Sequence, residues 1–142
     1  MKVLILFDNG ETTKIASAMY DALKKEDIDV SVKQVDNAKK DDIIKSDILI
    51  VGSPTKAWKS SPKMQRFFSQ FSNYDFRTKS AAAFGLMEKH FLAGSASRNI
   101  AKFLKMLRFN VISQQDFYTE NNKVSTAEIE RAKKFARYIW MF

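Results

Sequence analysis

Residues 47–58 read DILIVGSPTKAW. Ile48, Leu49, Ile50 and Val51 make a short, unbroken apolar run rich in β-branched side chains. That is the pattern of a strand covered on both faces, and such strands belong to parallel sheets flanked by helices. Gly52 ends the run, and Ser53-Pro54-Thr55 turns the chain, with Pro54 fixing φ and removing a backbone donor. Lys56 and Trp58 follow. Ligands of open α/β sheets bind outside the carboxyl ends of the strands, where the strand order reverses. A hydroxyl-bearing turn followed by a tryptophan therefore stands where a flat aromatic ligand could be gripped. Taken alone, the same residues also read as a polar crossover with Trp58 folded back onto the core.

Outward from this stretch, the chain alternates. Val3–Phe7 is a second continuous apolar run that stops at the turn signal Asp8-Asn9-Gly10. Thr12 or Thr13 starts a helix with Ile15, Met19 and Ala22/Leu23 on one face, closing near residues 24–27. Val30, Val32 and Val35 read as a weaker strand at a sheet edge, and residues 37–45 as a loop with a helical turn around Ile43 and Ile44. Ser61-Pro62 caps and starts a helix carrying Met64, Phe67, Phe68 and Phe71. Residues 81–84 form a small-residue strand reaching Gly85, and residues 86–93 are expected to form a long loop holding Met87, His90 and Phe91. Ser95 or Ser97 caps a helix with the stripe Ile100, Phe103, Leu104, Leu107. A last strand begins at Val111-Ile112 and ends near Phe117-Tyr118. Ser125 caps the final helix, with Glu128 completing a capping-box pattern and Ile129, Ala132, Phe135/Ala136 and Ile139 facing inward.

This order predicts a three-layer α/β sandwich, a five-stranded parallel sheet in the order 2-1-3-4-5 with helices on both faces. No Pro/Gly-rich linker or repeat interrupts the chain, so one domain over residues 1–142 is expected. The topology sets residues 8–13 beside residues 53–58, with residues 85–91 next to them, so three loops converge on one crevice. A helix that begins at a turn offers free amides and a positive dipole to a phosphate, and Thr12 and Thr13 add hydroxyls.

Composition narrows the chemistry. The absence of cysteine excludes disulfides, thiolate metal sites, iron–sulfur clusters and cysteine nucleophiles, and the lone His90 argues against a histidine metal site or a Ser-His-Asp triad. The net charge of +8 is uneven: residues 1–71 hold 12 Lys+Arg against 10 Asp+Glu, and residues 72–142 hold 12 against 6. The basic residues are dispersed rather than gathered in a tail, which fits a solvated surface, and nucleic acid is not expected as a partner. The apolar core of the N-terminal MKVLILFDNG is too short for a leader, and no run approaches the ~20 residues of a membrane span. A cytoplasmic location, with no membrane contact, is expected.

On these motifs the chain resembles the flavodoxin family over nearly its whole length. Residues 2–6 with Gly10-Glu11-Thr12-Thr13-Lys14-Ile15-Ala16 are similar to the family's first strand, phosphate loop and helix start. Residues 47–55 are similar to its third strand and flavin loop, and Ala82-Ala83-Phe84-Gly85 to its fourth strand. The resemblance implies non-covalent FMN and electron transfer to a redox partner protein, from a monomer or homodimer. It implies that Asn9, Gly10, Glu11, Thr12 and Thr13 hold the phosphate. Ser53, Pro54, Thr55 and Lys56 would approach the ring and Trp58 would stack on one face, while Gly85, Leu86, Met87 and Phe91 would close the other. The family loop usually reads T/S-x-T-G-x-T. Here it is about two residues shorter, and Glu11 stands where a neutral asparagine is common.

Two other classes stay open at this level. One is a flavin-free domain of the same fold that binds a protein or another acidic partner. The other is a small FMN-dependent reductase.

Overall fold

The computed structural model describes residues 1–55, 59–89 and 94–141. The elements are β1 (Lys2–Phe7), α1 (Thr12–Lys25), β2 (Asp29–Gln34), α2 (Lys40–Lys45), β3 (Ile48–Pro54), α3 (Pro62–Ser69), β4 (Ser80–Glu88), α4 (Ala96–Met106), β5 (Asn110–Glu120), β6 (Lys123–Val124) and α5 (Thr126–Met141). They build one sheet in the order β2-β1-β3-β4-β5-β6. The first five strands run parallel in the expected order.

The double-sided apolar runs work as read. Val3, Ile5, Ile48 and Ile50 point to one face and pack with Ile15 and Met19 of α1 and with Ala132 and Phe135 of α5. Leu4, Leu6, Leu49 and Val51 point to the other face and pack with Met64 and Phe68 of α3 and Ile100 and Leu104 of α4. Alternation of side chains along each strand makes one run serve both layers. Caps at the helix starts agree too: Ser61 accepts from Met64 N–H at 3.3 Å with Pro62 in the first turn, and Ser95, rather than Ser97, accepts from Arg98 N–H at 3.1 Å. Among the described residues no helix is long and apolar enough to cross a membrane.

The structure corrects the sequence reading in several places. The sheet has six strands, because β5 continues to Glu120 and turns back as the antiparallel β6, Glu120 pairing with Lys123. The turn between them is Asn121-Asn122, both at positive φ (51° and 62°), a conformation that asparagine tolerates and hairpin turns require. Leu86–Glu88 is strand rather than loop: β5 extends opposite it, pairing Leu86 with Phe117 and Glu88 with Thr119. Of that expected loop, His90 and Phe91 lie outside the described residues. Val35 leaves the edge strand for a single 3-10 turn, Val35–Asn37. Ser53 and Pro54 extend β3 instead of turning, which proline permits here because β1 ends opposite Gly52 and asks for no further donor. Ser125 does cap α5, its Oγ accepting from Glu128 N–H at 3.2 Å. The Glu128 carboxylate, however, reaches β5 and accepts from Tyr118 N–H at 2.8 Å.

Candidate functional site

Strand order reverses between β1 and β3, and the carboxyl ends of β1, β3 and β4 open there onto a cavity of about 410 Å3. That lies within the ~300–1,000 Å3 usual for small-molecule sites. Asp8 to Thr12 form one wall, Pro54 and Thr55 a second, and Leu86 to Glu88 a third; Thr119 and Asn122 complete the ring.

The first wall is a set of donors without acceptors. Gly10 adopts φ +81°, with nothing within 4 Å of where a side chain would point. Asp8 N–H donates to Gly52 C=O, Asn9 N–H to Asp8 Oδ1, and Thr13 N–H to Gly10 C=O. The N–H groups of Gly10, Glu11 and Thr12 have no hydrogen-bond partner among the described residues. Thr12 is fully buried, yet its Oγ1 has no hydrogen-bond partner either. Buried hydroxyls are nearly always bonded, so an orphan of this kind calls for a missing acceptor. Here it sits beside three free amides at the positive end of a 14-residue helix. These groups fit a phosphate.

Glu11 does not fill that place with its own charge. Its carboxylate meets Lys14 Nζ at 3.1 Å and accepts from Val124 N–H at 3.2 Å. The hydrogen bond from Lys14 holds its pKa below the ordinary 4.5, desolvation works against this, and the Val124 N–H adds to the lowering. A carboxyl whose folded pKa is lowered stabilises the fold fully above its unfolded value, and that contribution is lost as pH falls through the folded value. Val124 N–H should therefore lose hydrogen-exchange protection as the pH falls through the lowered Glu11 value, before the core strands do. Equal loss in β1 and at Val124 would show that Glu11 does not hold the hairpin.

Glu88 is held in a similar way, accepting from Thr119 Oγ1 at 2.6 Å, Asn121 N–H at 2.8 Å and Asn122 N–H at 3.2 Å. It fastens the β5–β6 turn over the cavity.

Of the residues singled out from sequence, Asn9, Gly10, Glu11, Thr12, Pro54, Thr55, Leu86 and Met87 line the cavity. Thr13 is exposed at the start of α1 and is not among the lining residues. Lys56, Trp58 and Phe91 lie outside the described residues. Ser53 and Gly85 are taken up by the scaffold. Ser53 Oγ donates to Pro54 C=O at 2.7 Å and accepts from Ser61 N–H at 2.8 Å, tying the end of β3 to the cap of α3. Ser53→Ala should cost about 1–3 kcal/mol by leaving the Ser61 N–H unsatisfied in a buried place, read from urea unfolding. No loss would mean that water replaces the hydroxyl. Gly85 lets β4 pass the start of α4: a Cβ there would stand 2.6 Å from Asp116 Oδ1 and 2.7 Å from Ser97 N. Thr55 Oγ1 accepts from Ala96 N–H at 3.2 Å, so one side chain borders the cavity and steadies α4.

Thr119 and Asn122 escaped the sequence reading. Their signal was Asn121-Asn122 between two strand-like stretches, a hairpin turn. Among the described residues no cluster of His, Asp or Glu could hold a metal ion.

Comparison with known proteins agrees with this geometry. Residues 4–113 match a family described as a flavodoxin domain. A flavodoxin of Aquifex aeolicus is 41% identical over 70 residues, a stretch covering 47% of this chain and 38% of that protein's length. A flavodoxin structure from Streptococcus pneumoniae TIGR4 superposes with a TM-score of 0.87 over 99% of both chains at 19% identity. The rubredoxin oxygen:oxidoreductase of Desulfovibrio gigas shares the fold with a TM-score of 0.81 at 22% identity, over 97% of this chain and 35% of that one. With the matched family covering more than three-quarters of its residues, the reversed strand order and the donor-lined loop after β1 have a common explanation: this chain belongs to the flavodoxin family.

Proposed function

We infer that the protein is an FMN-binding electron carrier that works with a separate redox partner protein. The observation that carries the reading is the buried Thr12 hydroxyl, without a partner among the described residues, in the residue run whose Gly10, Glu11 and Thr12 amides likewise have none. Free amides occur at the start of any helix, but leaving a buried hydroxyl unpaired beside them costs about 1–3 kcal/mol. Despite the short loop, three amides and a hydroxyl remain to hold a phosphate group.

In this reading Gly10, Glu11 and Thr12 bind the phosphate through backbone N–H groups, and Thr12 donates its hydroxyl. Pro54, Thr55, Leu86 and Met87 flank the ring system, while Thr119 and Asn122 limit its outer side. Lys56, Trp58 and Phe91 join the set on the family resemblance alone. The bound flavin supplies the electron chemistry, and the chain supplies position and electrostatics. Asp8, Glu11 and Glu88 all line the cavity. Of these, Glu11 is already paired with Lys14, and Glu88 is held by Thr119, Asn121 and Asn122.

The test is a fluorescence titration of FMN with the purified chain. Saturable quenching at micromolar protein or below supports the reading. A folded sample that leaves FMN fluorescence unchanged overturns it and points to the flavin-free class. Reduced-nicotinamide oxidation by the FMN-loaded protein alone would move it to the reductases.

A further inference from the structure

Among the described residues, strand β5 has an open side. On its inner side β4 pairs with it from Asn110 to Thr119, whereas on its outer side β6 meets only Thr119 and Glu120. The Thr119 C=O points inward, accepting from Lys89 N–H, and the Tyr118 N–H points outward to Glu128. Both backbone groups of a strand residue point the same way, and the direction alternates along the strand. Gln114 and Asp116 therefore also present N–H and C=O outward, and neither meets a backbone partner on that side among the described residues. Sheet edges are commonly defended by lysine or proline, and residues 110–118 contain neither. A bulge at the start, where Ala81 and Ala82 face Val111 and Ser113, leaves the rest of the strand regular.

A groove of about 400 Å3 runs beside this edge. Ser113 and Gln115 floor it, and Arg131, Lys134, Phe135 and Tyr138 of α5 wall it. Arg131 is bound to Glu128 and lies 5.5 Å from the Phe117 ring centroid. Lys134 is exposed and has no carboxylate partner among the described residues. The groove shares no lining residue with the cavity at the strand ends.

We propose that the outer edge of β5 receives an extended acidic segment of another protein as an added strand. Its backbone pairs with Gln114 and Asp116, and its carboxylates on the α5 side meet Lys134. Main-chain pairing supplies affinity in this mode and the flanking side chains supply selection. Charge decides the occupant. The charge free to select an occupant on this edge is Lys134, because Arg131 is held by Glu128. An acidic strand meets the opposite sign.

The test uses the whole chain and fluorescein-labelled peptides of about nine residues, close to strand length. One alternates glutamate with valine, a second replaces glutamate by lysine, and a third is the glutamate peptide methylated on alternate backbone nitrogens. Binding is followed by anisotropy at low salt and by amide hydrogen exchange. The glutamate peptide should bind at least about tenfold more tightly than either control, slow exchange at Gln114 and Asp116, and lose affinity as salt rises. Lys134→Glu, a change at an exposed site, should weaken it by about tenfold with the circular dichroism spectrum unchanged. Equal affinity for the glutamate and lysine peptides, no binding at about 1 mM, or binding without slowing at Gln114 and Asp116 would each overturn the proposal. So would sedimentation as a dimer with those amides already protected, which would assign the edge to a second copy.

Discussion

Gly52→Ala is expected to lower stability by about 3 kcal/mol or more, at the upper end of overpacking effects. A Cβ on Gly52 would stand 1.9 Å, 2.0 Å and 2.3 Å from Cζ, Cε2 and Cε1 of Phe84. Phe84 is fully buried and has no room to withdraw: its ring is edge-on to Phe117, which is in turn edge-on to Phe135. Gly52 is also paired on both sides, with Phe7 of β1 and Phe84 of β4, so β3 cannot shift outward. The loss is read as a fall in the urea midpoint at constant slope. Phe84→Leu identifies the partner. In the parent it removes ring atoms and costs about 1–2 kcal/mol, whereas in the Gly52→Ala protein it should restore stability. Equal costs in both backgrounds would clear the Phe84 ring of the clash.

Thr12→Val should separate binding from folding. Valine keeps the shape of threonine and removes the hydroxyl that has no partner among the described residues. Without ligand, stability is expected to hold or rise by up to about 1 kcal/mol, because a desolvated orphan is removed and no bond is lost. FMN affinity should fall by about 10- to 100-fold, the 1.5–3 kcal/mol of a hydrogen bond to a charged group. Riboflavin, which lacks the phosphate, should bind both proteins alike, and Thr12→Ser should keep most of the FMN affinity. A variant that loses stability but not FMN affinity would make the Thr12 hydroxyl a scaffold group and remove the main support for the phosphate assignment.

Glu11 shows how the sequence and the fold divide the information. From sequence its carboxylate stands at the start of a helix, where a negative charge gains roughly 0.3–1 kcal/mol from the dipole. In the structure that carboxylate turns to Lys14 and to Val124, 113 residues away, leaving the amides beside it free. Ser53 differs in the same way. Its place at the end of an apolar strand was evident, but its hydroxyl is used inside the scaffold, on the start of α3.

The sequence by itself determined the layers, the parallel order of five strands and the three segments that meet at the crevice. Apolar runs, alternation and helical stripes are local, and they record which faces of each element must leave water. The tertiary structure alone decided the β5–β6 hairpin, the extension of β4 through Glu88, the places of Thr119 and Asn122 in the cavity wall, and the open edge of β5. The physical reason is range. A hydrogen bond such as Asn121 N–H to Glu88, or the absence of a strand beside Gln114 among the described residues, depends on which segments the folded sheet brings together. No periodicity along the chain records that.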